Sequence, residues 1–419
     1  MDVSRRLLLL ATTTGYQARE FQQSAERLGI QLVLATDRCH TLEDPWGDAA
    51  IAIRLENPAE SARQLVQTLR QDPVIGVVAT GDPATTIAAL ASREMGLCYH
   101  PPEAVEACRN KFLARERFRA AGLPVPWYRR LRASGDPPPD LDSMLFPCVL
   151  KPLGLSASRG VIRADNASQF LAAFARVRAL LASADVRKLK EEAGEWIQVE
   201  SYIPGREAAL EGLMTQGRLR VLAVFDKPDP LEGPYFEETI YVTPSRLDPA
   251  VQRAIEETTG RAARALGLWH GPVHAEVRIN PQGVWMLEMA ARPIGGLCAR
   301  ALRFGAGAPL EELILRHALG EPVDRIAREA QAAGVMMIPI PRAGILEAVE
   351  NLDGAGRTPG VESIEITAKL KQELVPLPEG ASYLGFIFAR GSRPEDVEEA
   401  LRAAQAKLRF VISPKLPIV

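Results

Sequence analysis

Lysine is scarce in this 419-residue chain, supplying nine of its fifty basic residues against forty-one arginines. A lysine inside a motif is therefore less easily a chance occurrence. Net charge is nearly absent, at -2, and no basic stretch stands out, so no nucleic-acid partner is expected. Long apolar runs are missing too, none approaching the eighteen or so residues of a membrane span, so no membrane partner is expected. The five cysteines, Cys39, Cys98, Cys108, Cys148 and Cys298, are scattered and form no C-x-x-C pair. That excludes a cysteine-based zinc motif and fits buried thiols in a reducing cytoplasm. There is no G-x-G-x-x-G, no loop ending in G-K-[ST], no internal repeat and no low-complexity tract.

What is present is ordinary globular composition, 47% hydrophobic and 24% charged, with room for two to four domains at about 100 to 200 residues each. The opening Met1 to Ala11 superficially resembles an export signal. Its apolar run, Leu7 to Leu10, is too short for one and reads as a first buried strand. From there to about residue 100, apolar runs (Leu7 to Ala11, Gln31 to Ala35, Ile75 to Thr80) alternate with amphipathic stretches (Ala18 to Leu28, Ala59 to Arg70, Ala84 to Met95). Such alternation predicts an open α/β sheet with its ligand crevice at the carboxyl ends of the strands. Two turns, Thr12 to Gly15 and Thr80 to Pro83, occupy such ends.

A helical pattern then runs from Pro102 through Lys111 to Ala121. Strands follow at Cys148 to Lys151 and Val161 to Ala164, a helix at Ala167 to Leu189, and more strands from Trp196 to Met289, interrupted by a helix from Pro249 to Leu266. A smaller α/β unit begins near residue 330.

Polarity alone yields a register for the strands Val273 to Ile279 and Val284 to Met289. Pairing Ile279 with Trp285, Val277 with Leu287 and Ala275 with Met289 buries one consistent face, across an Asn280 to Val284 loop. Glu276 then faces Glu288. Directly opposed carboxylates have Cβ atoms about 4.5 to 5.5 Å apart and repel unless compensated, and a hard Mg²⁺ ion is a natural compensation. A solvated hairpin face is the alternative. Further on lies Arg292, followed by Pro293-Ile294-Gly295-Gly296, a cation with glycines that admit an anion. The loop Leu153 to Gly160, with Ser156 and Ser158, can fold over phosphates, and Lys151 precedes it.

Taken in order, these elements resemble the ATP-grasp superfamily over roughly residues 100 to 325: Asn110-Lys111, V-L-K-P with its Gly/Ser flap, V-E-S-Y-I-P-G-R-E (Val199 to Glu207), then Glu276, Glu288 and Arg292. The resemblance implies an α/β chain with the ATP-grasp fold. It divides into an N-terminal open parallel-sheet domain (1–103), a two-part ATP-grasp module (104–195 with the flap, 196–328 with the metal and catalytic residues) and a small C-terminal α/β domain (329–419). It also implies that Lys111, Lys151, Ser156, Ser158 and Gly160 hold the phosphates of ATP. The backbone around Glu200, Tyr202 and Ile203 would read adenine, Glu207 would bind the ribose hydroxyls, Leu287 would line the ATP site, Glu276 and Glu288 would ligate Mg²⁺ with Mn²⁺ as a substitute, and Arg292 would be catalytic. Ala290 stands where many members have an asparagine ligand.

Within the superfamily the chain looks most like the L-amino acid ligases, on Gly233 to Glu238, His274-Ala275-Glu276, Ala291 to Gly296 and the terminal unit. That likeness implies amino acid substrates, dipeptide formation through an acylphosphate, ADP release, a cytoplasmic setting and a homodimer. Asp82 is the expected partner of a substrate ammonium, with Glu237 or Glu238 as rivals. His274, Gly295 and Gly296 are expected at the substrate, and Lys227 meets a carboxylate, meets a phosphate or decorates a loop. Other ATP-grasp ligases or carboxylases, and a nucleotide-binding protein without turnover, are the alternatives.

Overall fold

A computed structural model of the chain describes residues 5–12, 17–37, 50–138, 141, 144–188 and 192–415. Three residues of the turn expected at Thr12 to Gly15 lie outside them, as do Met1 to Ser4, Cys39, Asp140 and Leu189. Among the described residues no helix is long and apolar enough to cross a membrane.

The first sheet is parallel, in the order Ile51–Ala52, Gln31–Thr36, Arg6–Ala11, Gly76–Ala79. All six residues of Arg6–Ala11 are buried, as a central parallel strand covered on both faces requires. Helix Asp82–Met95 follows the strand Gly76–Ala79 directly, which places Asp82 at the carboxyl edge of the sheet, where ligand crevices form.

The single helix expected between Pro102 and Ala121 is two, Pro102–Arg109 and Lys111–Ala120. Asn110 lies between them in extended conformation, and its side chain accepts from the Leu113 amide at 3.1 Å. This is an N-cap, and it sets Lys111 at the start of a new helix.

A four-stranded antiparallel sheet, Tyr128–Arg132, Trp196–Ser201, Cys148–Pro152, Ile162–Ala164, carries the flap. Helix Ala167–Leu181 covers it through Phe170, Phe174 and Val177. Facing it is an eight-stranded antiparallel sheet. Its order is Gly283–Ala290, Gly271–Asn280, Arg206–Thr215, Arg218–Asp226, Ile240–Thr243, Ala332–Ile338, Gly385–Gly391, Val361–Ile366. The last three strands come from beyond residue 330 and hydrogen-bond into this sheet through Ile240–Thr243. The terminal segment therefore shares one continuous hydrogen-bonded sheet with the strands that bear Glu276 and Glu288. Its helix Pro394–Lys407 packs on the same strands through Val397, Leu401 and Ala404.

Candidate functional site

The hairpin of Glu276 and Glu288 is tighter than expected. Asn280 pairs with Gly283 across Pro281-Gln282, and Arg278 with Trp285, so the expected pairs Ile279–Trp285 and Val277–Leu287 do not form. Between Glu276 and Val277 the register then shifts, Val277 pairing with Met286 and Glu276 with Glu288. Leu287 is the extra residue of a bulge, which re-aims the side chains that follow it. Its carbonyl accepts from the Arg115 guanidinium at 3.1 Å. The bulge thus restores the opposition of the two glutamates that the shorter turn alone would have broken.

Both glutamates line a cavity of about 480 Å³, a size typical of small-molecule sites. The parallel sheet contributes Thr80 and Asp82, the flap sheet Lys151, Ser156 and Ser158, and the large sheet His274, Glu276 and Glu288, while Met337, Tyr383 and Phe386 come from the terminal segment. Of the residues expected from sequence, Asp82, Lys111, Lys151, Ser156, Ser158, Glu200, Tyr202, Ile203, Glu207, His274, Glu276, Leu287, Glu288, Arg292, Gly295 and Gly296 all face this space.

Two do not. Gly160 sits at the base of the flap at φ +74, where a Cβ would meet Pro152 and Leu180 at under 3 Å, and its amide donates to the Pro378 carbonyl at 2.8 Å. Its requirement is conformational. Glu237 is half-buried outside the cavity wall, and its neighbour Glu238 lines the cavity instead. Alternation along the extended chain separates the two.

Flap and floor are joined by Lys111, whose Nζ donates to the Leu155 carbonyl at 2.6 Å and lies 3.7 Å from Glu288 Oε2. In the flap, Ala157 and Ser158 both hold φ near +55, a left-handed conformation costing about 1 kcal/mol or more for a residue with a side chain. Lys151 donates to Glu200 Oε2 at 2.6 Å, and Arg115 and Gln198 donate to the same carboxylate. Burial alone would raise Glu200, but Arg115 and Lys151 outweigh it and bring the carboxyl down to about 2. Glu200 is therefore an anchor for two cations. The Ser201 and Tyr202 amides donate to the Trp127 and Pro147 carbonyls at 2.9 Å, fixing the crossing between the two sheets.

Beside it, Tyr202 stacks with Phe236, and Arg278 lies over both rings. Arg278 also donates to the Ile203 carbonyl at 2.7 Å and to Glu207 at 3.1 Å.

Lys227 is buried among the protein's own carboxylates and does not decorate a loop. Its buried ammonium donates to Glu207 at 2.7 Å and to Glu238, and lies 3.3 Å from Glu276. Oxygens of those three glutamates lie within 4.8 Å of one another, but the lysine already supplies the positive charge there. Burial would lower Lys227, and its three anionic neighbours more than reverse that. Burial would raise Glu276, yet Lys227 and His274 hold it below the usual carboxylate range; Glu238 is pushed up to about 7 by burial and by Glu276. Glu276 and Glu288 together offer the oxygen donors that a hard divalent cation takes, whereas Ala290, 4% exposed, offers none.

Asp82 is committed to Arg292, with hydrogen bonds of 2.7 and 2.9 Å to its two oxygens. Burial would raise Asp82, but Arg292 outweighs it and lowers the carboxyl. A carboxylate neutralised in this way is poorly placed to hold a substrate ammonium, so that expectation is corrected. Arg115, Arg278 and Glu211 escaped the sequence reading. Each is buried, and its hydrogen-bond partners lie between 47 and 172 residues away in the chain, so no local sequence signal marks it.

Comparison with known proteins bears on the family and the fold. Family models match in three places: an ATP-grasp N-terminal domain over residues 22–98, an ATP-grasp domain over 144–301, and L-amino acid ligase C-terminal domain 2 over 336–413. The alanine–anticapsin ligase of Bacillus subtilis is 26% identical over 377 residues, covering 79% of this chain and 76% of that protein. The crystal structure of an L-amino acid ligase from Bacillus licheniformis superposes with a TM-score of 0.83 at 25% identity, over 99% of this chain and 100% of that one. N5-carboxyaminoimidazole ribonucleotide synthetase from Thermotoga maritima shares the fold, with a TM-score of 0.69 at 17% identity over 97% and 99% of the two chains. The chain belongs to the ATP-grasp superfamily and is an ATP-dependent ligase, most like the L-amino acid ligases.

Proposed function

We propose that this ligase joins two amino acids, or an amino acid and another amine, through an acylphosphate. The observation that carries the proposal is the convergence of Lys111, Lys151, Glu276, Glu288 and Arg292 on one cavity whose remaining wall comes from the terminal segment. That segment matches a domain described for L-amino acid ligases.

In this reading an oxygen of the donor carboxylate attacks the γ-phosphorus of ATP. The bond to the β,γ-bridging oxygen breaks, and ADP leaves. The amine of the second substrate then attacks the acyl carbon, loses a proton and expels phosphate. Phosphoryl transfer depends chiefly on position and charge. Lys111 and Lys151 hold the phosphates under the Ser156 and Ser158 flap, and Tyr202 and Phe236 form an apolar face for the base. Glu276 and Glu288 would hold Mg²⁺, which supplies charge neutralisation at the phosphates. Arg292, kept in place by Asp82, stabilises negative charge on the reacting oxygens.

Incubation with ATP, Mg²⁺ and pairs from a panel of amino acids tests the reading. Release of ADP and phosphate that depends on amino acids, together with a dipeptide product, supports it; AMP release overturns it.

A further inference from the structure

Glu211 has no part in the reaction described above, yet its carboxylate is 0% exposed in the strand Arg206–Thr215, next to the cavity. Its register partner on the neighbouring strand is His274. Oε2 lies 3.1 Å from His274 Nδ1, and both oxygens lie 3.2 Å from the Ile294 amide nitrogen. One buried carboxylate thus grips two separate parts of the cavity wall: the imidazole, and the turn that carries Arg292 and Gly296. The far ring nitrogen, Nε2, lies 3.6 Å from Glu276 Oε1.

Burying a carboxylate is costly unless its hydrogen bonds serve a purpose. A leucine at this position could fill the space at less cost, as its neighbours Leu210 and Leu213 do in the same strand. What leucine cannot do is receive the Nδ1 proton. By accepting from Nδ1–H, Glu211 fixes both the ring flip of the histidine and the side on which Nε2 emerges.

We infer that Glu211 is a positioning residue for the ligase reaction, holding the His274 ring and the Ile294 backbone so that the amino acid end of the cavity is preformed. The inference rests on the ligase reading of the cavity. It separates Glu211 from the nucleotide-holding groups, because neither element that it grips belongs to the flap or to the crossing at Glu200 to Ile203.

Two variants test it. Glu211→Gln keeps a carbonyl oxygen that can accept from both His274 Nδ1 and the Ile294 amide; Glu211→Leu keeps only the volume. Both are expected to bind a fluorescent ATP analogue within about twofold of the parent protein, as uniform nucleotide binding is untouched. Glu211→Leu should lose about 10- to 100-fold in kcat/KM for the amino acids, the usual effect of removing a partner that orients a site residue. Glu211→Gln should recover most of that loss.

A second readout needs no turnover. With five histidines in the chain, ¹⁵N-histidine spectra can be assigned by substitution, and His274 Nδ1 should carry a proton in the parent and lose its fixed partner in Glu211→Leu. A folded Glu211→Leu protein with unchanged amino acid kinetics overturns the inference, as does an equal loss of nucleotide affinity, which would mark a general structural role. A parent protein that shows the Nδ1 proton but no amino-acid-dependent ADP release overturns instead the ligase reading on which the inference stands.

Discussion

Arg292 and Asp82 form a two-pronged ion pair, with Nε and Nη2 at 2.7 and 2.9 Å from the two carboxylate oxygens. Asp82 opens a helix of the parallel sheet domain, and Arg292 follows the second strand of the Glu276–Glu288 hairpin. The cation assigned to the transition state is therefore aimed from a different unit of the protein. Fork-on-fork geometry fixes orientation as well as charge.

Replacing Asp82 by asparagine keeps the shape and removes the charge. Arg292 then keeps at most part of its partner, and a buried donor left unpaired costs about 1–3 kcal/mol. Urea unfolding should register that loss, and kcat/KM for the amino acids should fall by about 10- to 100-fold, as for other orienting partners. Unaltered kinetics would mean that Arg292 finds its position without Asp82.

Glu288→Gln should behave in the opposite way. It removes one of two opposed carboxylates, so repulsion across the hairpin is relieved and the unfolding midpoint should hold or rise. Activity should drop by at least about 100-fold, the scale on which loss of electrostatic stabilisation at a reacting centre is felt. Parallel melts and ADP-release assays across a Mg²⁺ series check both halves, and a normal Mg²⁺ dependence in the variant would exclude Glu288 as a ligand.

Acid should weaken the fold through histidines remote from the reaction. His270 and His317 stack at 4.1 Å, and buried His100 lies close enough to feel both. Burial lowers His100 to about 3 and His317 to about 4. In the unfolded chain both take up protons near pH 6.5, whereas in the folded protein they do so only far below. Their contribution is complete above about pH 6.5 and is lost as pH falls toward 4, at about 1.4 kcal/mol per unit for each. Glu200, lowered to about 2, keeps its contribution above about pH 4.3 and loses it only below, so the two effects separate. Glu238 and Glu311, both pushed up to about 7 by burial, act in the opposite sense over the same range, so the test compares parent and variant: at pH 7.5, 5.5 and 4.5 the urea unfolding free energy of His317→Gln should fall less, or rise more, with acid than that of the parent.

The flap is clasped from outside the nucleotide module. The Glu379 carbonyl accepts from Arg159 at 2.7 Å, its carboxylate pairs with Arg176, and the Pro378 carbonyl accepts from the Gly160 amide. Because the Arg176–Glu379 pair is well exposed, Glu379→Ala should change stability by less than about 1 kcal/mol. The KM for ATP should rise, and the flap should become a faster site of limited proteolysis. A melting temperature that falls while KM holds would assign the pair to folding alone.

Much of this site was legible from sequence because its groups sit on strands whose alternation sorts faces. Glu276 and Glu288 were correctly opposed even though the turn was misjudged. Polarity reports which face a residue takes, while the turn at Pro281-Gln282 and the bulge at Leu287 are set by hydrogen bonds, one of them from Arg115, 172 residues distant. The same limit explains the missed cations. Arg278 draws no notice in the sequence, and its role emerges only where tertiary structure brings Glu207 between it and Lys227. The break at Asn110 does carry a local signal, a capping residue inside an otherwise helical pattern.

The central claim is that a substrate carboxylate attacks the γ-phosphate of ATP. An amino acid labelled with ¹⁸O in its carboxylate tests it directly when turned over with ATP, Mg²⁺ and a second amino acid. The acylphosphate route predicts one ¹⁸O atom in each inorganic phosphate released, together with ADP; ¹⁸O appearing in AMP, or phosphate free of label, would contradict it.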